Sequence, residues 1–175
     1  MRIHTLGPSA TDSYAAAQTY NHRDCQNQAT IIGHASFEDI LTNLSDYSGE
    51  RLLIPAAFKS TLLKASWGDI HYALLKQLTL MDCFMTKLDP LVVIQRVAAD
   101  NQIGYTHAAT AQLLTCLVQH VTVQTVASKY LAYEMYQRNQ AAYVLTNEKN
   151  VTLTADERQL ARLTPSMVWC VYQIN

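Results

Sequence analysis

The sequence predicts an α/β protein in which short buried strands alternate with helices. Three observations lead to this prediction. Residues 1–55 show the pattern strand, helix, strand, helix, strand. Two apolar runs rich in β-forming residues, Leu78–Phe84 and Leu91–Ile94, then follow one another closely. A second series of strands and helices fills the rest of the chain and ends in a strand over Met167–Ile174.

The first strand-to-helix joint lies in the stretch Arg2–Tyr20, RIHTLGPSATDSYAAAQTY. Gly7-Pro8 ends a short extended run. Three side chains can cap the alanine-rich helix that follows: Ser9, Thr11 or Asp12. Such a joint points backbone N–H groups and the positive end of a helix dipole beyond the strand. We therefore predict a carboxylate or phosphate site here, although most joints of this kind bind nothing.

The next elements complete the first strand–helix series. A short β-type run covers 29–32, and Ser36 is a good N-cap for a helix. Four apolar residues fall on one face of that helix: Phe37, Ile40, Leu41 and Leu44. The run Arg51–Pro55 reads as a buried strand with a proline stop.

The remainder is predicted with less regular boundaries. Residues 56–76 suggest an irregular helix carrying four apolar side chains: Phe58, Leu62, Leu63 and Trp67. Strands are predicted over 103–107, 121–125 and 141–146. Helices are predicted over about 108–119 and, with Ser128 as a candidate N-cap, through about 138. The joint at Thr106–Ala109 is a second candidate anion site. The polar segment Asn147–Glu157 is expected to lead into a short helix before the last strand.

Composition excludes several classes of function. Lys and Arg number 13 against 14 Asp and Glu, without a basic block, so neither nucleic acid nor an anionic membrane is an expected partner. The N-terminus lacks the apolar core of a signal peptide and no run approaches the ~20 apolar residues of a membrane span, so we expect a soluble, cytoplasmic protein. The four cysteines are far apart in the sequence and are expected to be buried, and the scattered histidines predict no metal site.

Several stretches together resemble the prephenate dehydratase family. Leu6–Thr11, LGPSAT, resembles the N-terminal LGPxGT motif, and Leu52–Ser60, LLIPAAFKS, resembles the VVPIENS motif. Thr106-His107 resembles the Ser-His of the SHPQAL helix start. The last strand resembles the one that carries the Thr-Arg-Phe signature. The order and spacing of these stretches cover nearly the whole chain.

The departures from this family pattern are as informative as the matches. Ala57-Phe58 replaces the Glu-Asn pair of VVPIENS, and Met167-Val168-Trp169 replaces Thr-Arg-Phe. These positions are closer to the bacilysin-pathway prephenate decarboxylases, which have Pro-x-Ala-aromatic, an LTNE segment (here Leu145–Glu148) and Met-x-Trp. Ala10 replaces the glycine of LGPxGT, and Ala56 replaces the histidine that follows the proline in the decarboxylases.

The resemblance implies a two-lobed fold of the type II periplasmic-binding-protein kind, with a ligand cleft between the lobes. Periodicity alone would equally allow a single doubly wound sheet. A single dehydratase-like domain is expected over 1–175, with lobe 1 over about 1–90 plus 150–175 and lobe 2 over about 91–149. The regulatory ACT domain that often follows in dehydratases is not expected. A homodimer is expected from the resemblance alone.

Prephenate carries two carboxylates, which a binding protein must satisfy. The two helix starts, at Ser9–Ser13 and Thr106–Ala109, are the expected clamps, each supplying N–H groups and a hydroxyl. The expected contacts at the first are Gly7, Pro8, Ser9 and Thr11. Thr11 and Thr106 are the predicted hydroxyl ligands, and Thr11 and His107 the predicted catalytic residues. His107 is either the proton donor or a histidine that only caps a helix.

Further contacts are expected from strand ends and from an apolar wall. Thr86, Thr125 and Thr146-Asn147 can donate hydrogen bonds to substrate, or are ordinary polar strand ends. The wall contains Ala57, Phe58, Met167 and Trp169, and it suits either decarboxylation of a desolvated carboxylate or an inert core.

Three functions follow from these observations. The first is a non-aromatising prephenate decarboxylase, a cofactor-free lyase of aromatic amino acid or antibiotic biosynthesis. The second is a catalytically inactive protein that binds a small aromatic or carboxylate ligand. The third is a prephenate dehydratase with relocated acid groups.

Overall fold

A computed structural model describes all 175 residues. The chain forms two compact α/β units. The first contains Met1–Lys87 and Ser166–Asn175, and the second contains Leu88–Pro165. No helix is long and apolar enough to cross a membrane.

The first unit is built on a five-stranded sheet in the order β2-β1-β3-β12-β6. Its strands are β1 (Arg2–Leu6), β2 (Thr30–His34), β3 (Arg51–Pro55), β6 (Leu78–Lys87) and β12 (Ser166–Ile174). β1 pairs in parallel with β2 and β3, whereas β12 runs antiparallel to β3 and β6. The other elements are α1 (Asp12–Cys25), α2 (Phe37–Thr42), a 3-10 turn (Leu44–Tyr47), α3 (Trp67–Ala73), and a small hairpin of β4 (Lys59–Ser60) and β5 (Ala65–Ser66).

The core of this unit explains its apolar pattern. Leu52, Leu53 and Ile54 are fully buried, because helices cover both faces of β3. Small residues on α1, among them Ala16 and Ala17, are buried and let the helix approach the sheet closely. On the other face, the buried side chains of α2 and α3 join those of the strands: Phe37, Ile40, Leu52, Ile54, Ile70 and Tyr172.

The second unit is a five-stranded sheet in the order β11-β7-β10-β8-β9. Its strands are β7 (Leu91–Arg96), β8 (Ile103–His107), β9 (Thr122–Val126), β10 (Tyr143–Asn147) and β11 (Glu157–Leu163). Its helices are α4 (Ala111–Leu117) and α5 (Lys129–Arg138), with 3-10 turns at Ala108–Thr110 and Glu148–Asn150. β8 is parallel to β9 and β10, and β7 is antiparallel to β10 and β11.

Strand β7 shows why this unit has two cores. Leu91 and Val93 pack with Leu114 of α4, whereas Val92 and Ile94 pack with Tyr136 of α5. Because alternate side chains of a strand point to opposite faces, a continuous apolar run supplies both cores.

Several sequence predictions of local structure are confirmed. The side chain of Thr11 caps α1, that of Ser36 caps α2, and that of Ser128 caps α5. In each case the side-chain oxygen accepts a hydrogen bond from the backbone N–H three residues on, as N-caps do.

Three predictions of local structure are wrong. The segment after Glu157 is the strand β11, not a helix, and its pairing with β7 places 150–165 in the second unit rather than in lobe 1. Within 56–76 only Trp67–Ala73 is helical, and Leu62 is exposed. The helix predicted over about 108–119 is a 3-10 turn followed by the shorter α4.

The cysteines also differ from their prediction. Only Cys170 is buried, whereas Cys25 is partly buried and Cys83 and Cys116 are exposed. Cys83 and Cys170 are directly opposite each other on β6 and β12, with their sulfur atoms 3.7 Å apart. The pKa of the Cys170 thiol is raised to about 12, mainly by burial and secondly by the neighbouring Cys83.

Candidate functional site

The joint between β1 and α1 is an exposed turn at the positive end of a helix dipole. Pro8, Ser9 and Ala10 are exposed, and α1 is 14 residues long. Thr11 Oγ1 donates to the Leu6 carbonyl at 2.8 Å and accepts from the Tyr14 N–H at 3.2 Å. The hydroxyl proton of Thr11 is therefore engaged within the turn. What the joint can offer a ligand is backbone N–H groups of the first turn.

The turn is held against β2 by backbone contacts. Gly7 N donates to the His34 carbonyl at 2.8 Å, and the Gly7–Pro8 peptide bond is cis. A Cβ atom at Gly7 would lie 3.1 Å from backbone atoms of Gly33. Glycine at both positions thus lets the turn approach the end of β2 closely.

Asp12 adds a carboxylate to the first turn of α1. This negative charge interacts favourably with the helix dipole. It also opposes the approach of an anionic ligand to the same N–H groups.

A chain of hydrogen-bonded side chains that the sequence analysis did not find reaches the same edge of the sheet. His4, on β1, is only 2% exposed. Its Nδ1 is 2.8 Å from Nε2 of His34, and its Nε2 is hydrogen-bonded to Oε2 of Glu50. Arg2 Nη1 lies 3.2 Å from Oε1 of Glu50. The ring of Tyr47 stacks on His4 with a centroid distance of 4.2 Å.

His34 is the half-buried end of this chain and the last residue of β2. Burial, followed by the neighbouring His4, lowers the pKa of His34 below its ordinary value, while Asp39 acts in the opposite direction. No sequence signal identifies the group, because its members are 30 and 46 residues apart and meet only through the pairing of strands.

The second strand-to-helix joint, between β8 and α4, is a closed structure. Thr106 is completely buried. Its Oγ1 donates to the Leu145 carbonyl at 3.0 Å and lies 2.7 Å from Oγ1 of Thr110. The Thr106 hydroxyl is thus engaged in the interior of the unit, and a ligand contact by Thr106 stays a prediction.

His107 caps the 3-10 turn that precedes α4. Its Nδ1 accepts a hydrogen bond from the Ala109 N–H at 3.2 Å. Burial, followed by the positive charge of Lys129, lowers the pKa of His107. The capping alternative is thus what the structure shows, and a catalytic role for His107 stays a prediction.

The other polar candidates of the second unit have different surroundings. Thr146 is completely buried, and its Oγ1 donates to the Lys129 carbonyl at 2.6 Å and accepts from Asn150 Nδ2 at 3.0 Å. A ligand contact by Thr146 therefore stays a prediction, and its hydroxyl is engaged within the unit. Thr125 is exposed on β9, and Asn147, at the end of β10, has a buried side-chain oxygen without a hydrogen-bond donor.

The aromatic residues predicted to form an apolar wall lie in the core of the first unit. Phe58 is 8% exposed and meets the ring of Phe37 edge-on, with a centroid distance of 5.5 Å. Trp169 is 2% exposed and its Nε1 donates to Oγ1 of Thr86 at 2.8 Å. Met167, opposite Thr86 on β12, is half-buried. Of the two roles considered for the aromatic pair, the structure supports the core.

The lining of a small cavity of about 210 Å³ includes the C-terminal end of α1. Asp24, Cys25 and Arg51 are among its lining residues. It contains none of the residues predicted for the site.

Comparison with solved structures identifies the fold. The prephenate dehydratase of Arthrobacter aurescens, in complex with L-Phe, matches 100% of this chain at 13% sequence identity and a TM-score of 0.54. The prephenate dehydratase of Staphylococcus aureus matches 99% of it at 13% identity and a TM-score of 0.54. A periplasmic His/Glu/Gln/Arg/opine family-binding protein of Silicibacter pomeroyi, in complex with lysine, matches 99% at 9% identity and a TM-score of 0.53. The fold is of the type II periplasmic-binding-protein kind.

This likeness concerns the fold alone. The chain covers 61% and 66% of the two dehydratases and 82% of the binding protein. It thus spans less than two thirds of either dehydratase. No protein-family profile and no curated protein sequence matches the chain.

Proposed function

We propose that this chain binds a small organic acid of the prephenate class and removes carbon dioxide from it without forming an aromatic ring. The observation that carries the proposal is the exposed β1–α1 turn, where a 14-residue helix presents its N-terminus in a fold shared with prephenate dehydratases. Backbone N–H groups at such a terminus suit a carboxylate.

The residues present favour decarboxylation over dehydration. A dehydratase must protonate the departing ring hydroxyl, which requires a positioned acid. The positions that match the dehydratase Glu-Asn pair hold Ala57 and Phe58, and Trp169 stands in the Thr-Arg-Phe position. None of these side chains can donate that proton, and Phe58 and Trp169 are buried in the core.

The second candidate is a binding protein without catalysis. This candidate is supported by two threonines that were predicted to contact a ligand but form hydrogen bonds inside the protein. Thr106 and Thr146 are completely buried and hydrogen-bonded within their own unit. Because these hydroxyls are engaged in internal hydrogen bonds, fewer free groups remain to stabilise a transition state.

Incubation of the purified protein with prephenate at neutral pH separates the candidates. Absorbance reports loss of prephenate, and mass spectrometry and NMR identify the products against a sample without protein. We expect dihydro-hydroxyphenylpyruvate. Phenylpyruvate would instead establish dehydration, and a rise in melting temperature without turnover would establish a binding protein.

Asp12→Asn tests whether the α1 turn holds the acid. Removing a negative charge from the first turn is expected to lower the Kd for phenylpyruvate about two- to fivefold, since a unit charge at about 4 Å in water is worth about 1 kcal/mol. Asp46→Asn, an exposed carboxylate on the 3-10 turn, is the matched control and should leave Kd unchanged. Equal affinities for wild type and Asp12→Asn would place the ligand elsewhere.

A further inference from the structure

Binding and decarboxylation as proposed above rest on none of the three hydrogen-bonded residues Glu50, His4 and His34. This group combines a carboxylate with two imidazoles, one of which, His4, is 2% exposed and lies beneath the ring of Tyr47. An apolar side chain at position 4 would fill this space without the cost of burying a polar ring. The arrangement therefore calls for an explanation beyond packing.

With Glu50 ionised and His4 neutral, the hydrogen bonds determine which ring nitrogens carry protons. An ionised Glu50, held by Arg2 at 3.2 Å, can only accept, so His4 Nε2 must donate to it. In neutral His4 the other nitrogen, Nδ1, is then an acceptor, and His34 Nε2, 2.8 Å away, must donate to it. As long as His4 is neutral, Glu50 thus sets the tautomer of neutral His34, whose Nδ1 is left with a lone pair.

His34 is also placed where a ligand can meet it. It is the last residue of β2, only half-buried, and its carbonyl accepts the hydrogen bond from Gly7 at the start of the β1–α1 turn. The carboxyl ends of parallel strands are where α/β proteins bind ligands. A proton-exchanging group and the proposed carboxylate site thus share one edge of one sheet.

We propose that His34 is the proton donor of this site, and that His4 and Glu50 are positioning residues that hold its tautomer and balance its charge. This inference rests on the function proposed above. As carbon dioxide leaves, the electron pair of the broken C–C bond moves into the ring of the organic acid and takes the proton from Nδ1 of the His34 imidazolium. The products are carbon dioxide, a protonated ring carbon and neutral His34, which regains a proton from water.

The charged and titratable groups around His34 support this role. His4 and Arg2 come from β1, Glu50 precedes β3, Tyr47 ends the 3-10 turn and Asp39 lies on α2. Because the pKa of His34 is lowered by burial and by His4, its imidazolium is a stronger acid than an ordinary histidine. The carboxylate of Glu50 remains one imidazole away, where it can compensate the positive charge.

A ligand-free measurement tests the positioning first. The ¹⁵N shifts of the histidine rings, followed by NMR across the neutral pH range on the full chain, report both tautomer and pKa. We expect neutral His34 to carry its proton on Nε2, and Glu50→Gln to lower the pKa of His34 further, because a negative charge is removed. Asp46→Asn should leave that pKa unchanged. The inference would be overturned if neutral His34 carried its proton on Nδ1, or if Glu50→Gln left the pKa of His34 unchanged.

Turnover tests the donor role. With prephenate as substrate, kcat/KM should fall as the pH rises above the pKa of His34. His34→Gln should lower kcat about 100-fold or more and change KM little, since general acid catalysis contributes at least about that factor. His22→Gln, an exposed histidine on α1, is the control. Melting curves establish that each variant is folded.

The outcomes separate this inference from the proposed function. Full kcat in a folded His34→Gln variant would overturn the donor role while leaving the decarboxylase function in place. No turnover by wild type, with the Glu50 effect on His34 intact, would contradict the proposed function and, with it, the donor role. If the enzyme is active but Glu50→Gln does not change the pKa of His34, the positioning roles of His4 and Glu50 are contradicted.

Discussion

At the scale of single residues, Gly7 shows how closely two backbone segments approach. A Cβ atom at this position would lie 3.1 Å from the backbone of Gly33, which cannot move as a side chain can. We predict that Gly7→Ala destabilises the protein by about 1–3 kcal/mol, the usual cost of overpacking. Chemical denaturation measures the change.

Gly68→Ala is the matched control for that substitution. A Cβ atom at Gly68 would meet only Oγ of Ser66, at 3.8 Å, and Gly68 lies within α3. Because alanine has the higher helix propensity, this variant should be neutral or more stable. If both variants lost the same free energy of unfolding, the close backbone approach at Gly7 would not be the cause of the destabilisation.

Arg96 is the second residue with a clear energetic role. It is 6% exposed, and its Nη2 lies 3.0 Å from Oε1 of Glu157, on β11, and 2.8 Å from Oε1 of Gln137. We predict that Arg96→Met destabilises the protein by about 3–5 kcal/mol, because it leaves the Glu157 carboxylate buried without its charge partner. Urea denaturation of wild type and variant tests this.

Two further variants check the explanation for Arg96. Adding Glu157→Leu to Arg96→Met should restore much of the lost stability, since both charges are then gone. Arg162→Met removes an exposed arginine paired with Glu148 and should cost much less. If Arg162→Met were as destabilising as Arg96→Met, burial of the charge pair would not explain the loss of stability in Arg96→Met.

At the scale of elements, strands β6 and β12 place two thiols in very different surroundings. Cys170 is 1% exposed and the pKa of its thiol is raised to about 12, whereas Cys83 and Cys116 are exposed. Because the thiolate is the reacting species, iodoacetamide should label Cys83 and Cys116 in the folded protein and Cys170 only after denaturation. Peptide mass spectrometry reads out each site, and labelling of native Cys170 as fast as Cys116 would contradict the described burial.

The elements also show what could be predicted from the sequence. Local signals predicted the caps at Ser36 and Ser128 and included Thr11 among three candidates at the first helix, because an N-cap is decided within three residues. Strand β3 was also predicted correctly, since the apolar run Leu52, Leu53 and Ile54 is followed by a proline and is typical of a strand buried on both faces.

Non-local structure was beyond such signals. Glu157–Leu163 is a strand because β7 offers it an edge, which its own polar sequence does not indicate. The hydroxyls of Thr106 and Thr146 turn inward because carbonyls from β10 and α5 lie within reach. The group of His4, His34 and Glu50 likewise depends on the order of β2, β1 and β3 in the sheet.

At the scale of the whole molecule, groups whose pKa is lowered in the folded state predict loss of stability in acid, and His34 and Glu157 are two of them. The pKa of His34 is lowered from 6.5, by burial and then by His4, so the folded state binds this proton less readily than the unfolded chain does. Its contribution is therefore complete above pH 6.5 and is lost as the pH falls towards the folded-state pKa.

Glu157 acts in the same direction at lower pH. Burial favours a raised pKa, but hydrogen bonds from Arg96 and from the Thr154 N–H outweigh it, so the pKa is lowered from 4.5. This contribution is lost as the pH falls below 4.5. The melting temperature should thus fall from about pH 7 to about pH 4. In His34→Gln the melting temperature should change less in the upper part of this pH range. A melting temperature that is constant or rises on acidification would contradict both shifts.

The central claim is that an organic acid binds at the carboxyl edge of strands β1 and β2. An NMR titration of the ¹⁵N-labelled chain with phenylpyruvate tests it most directly. We predict that the largest shifts occur at the backbone amides of Ser9–Ser13 and at the ring of His34. Shifts confined to the cavity beside Arg51, or none at millimolar phenylpyruvate, would contradict the claim.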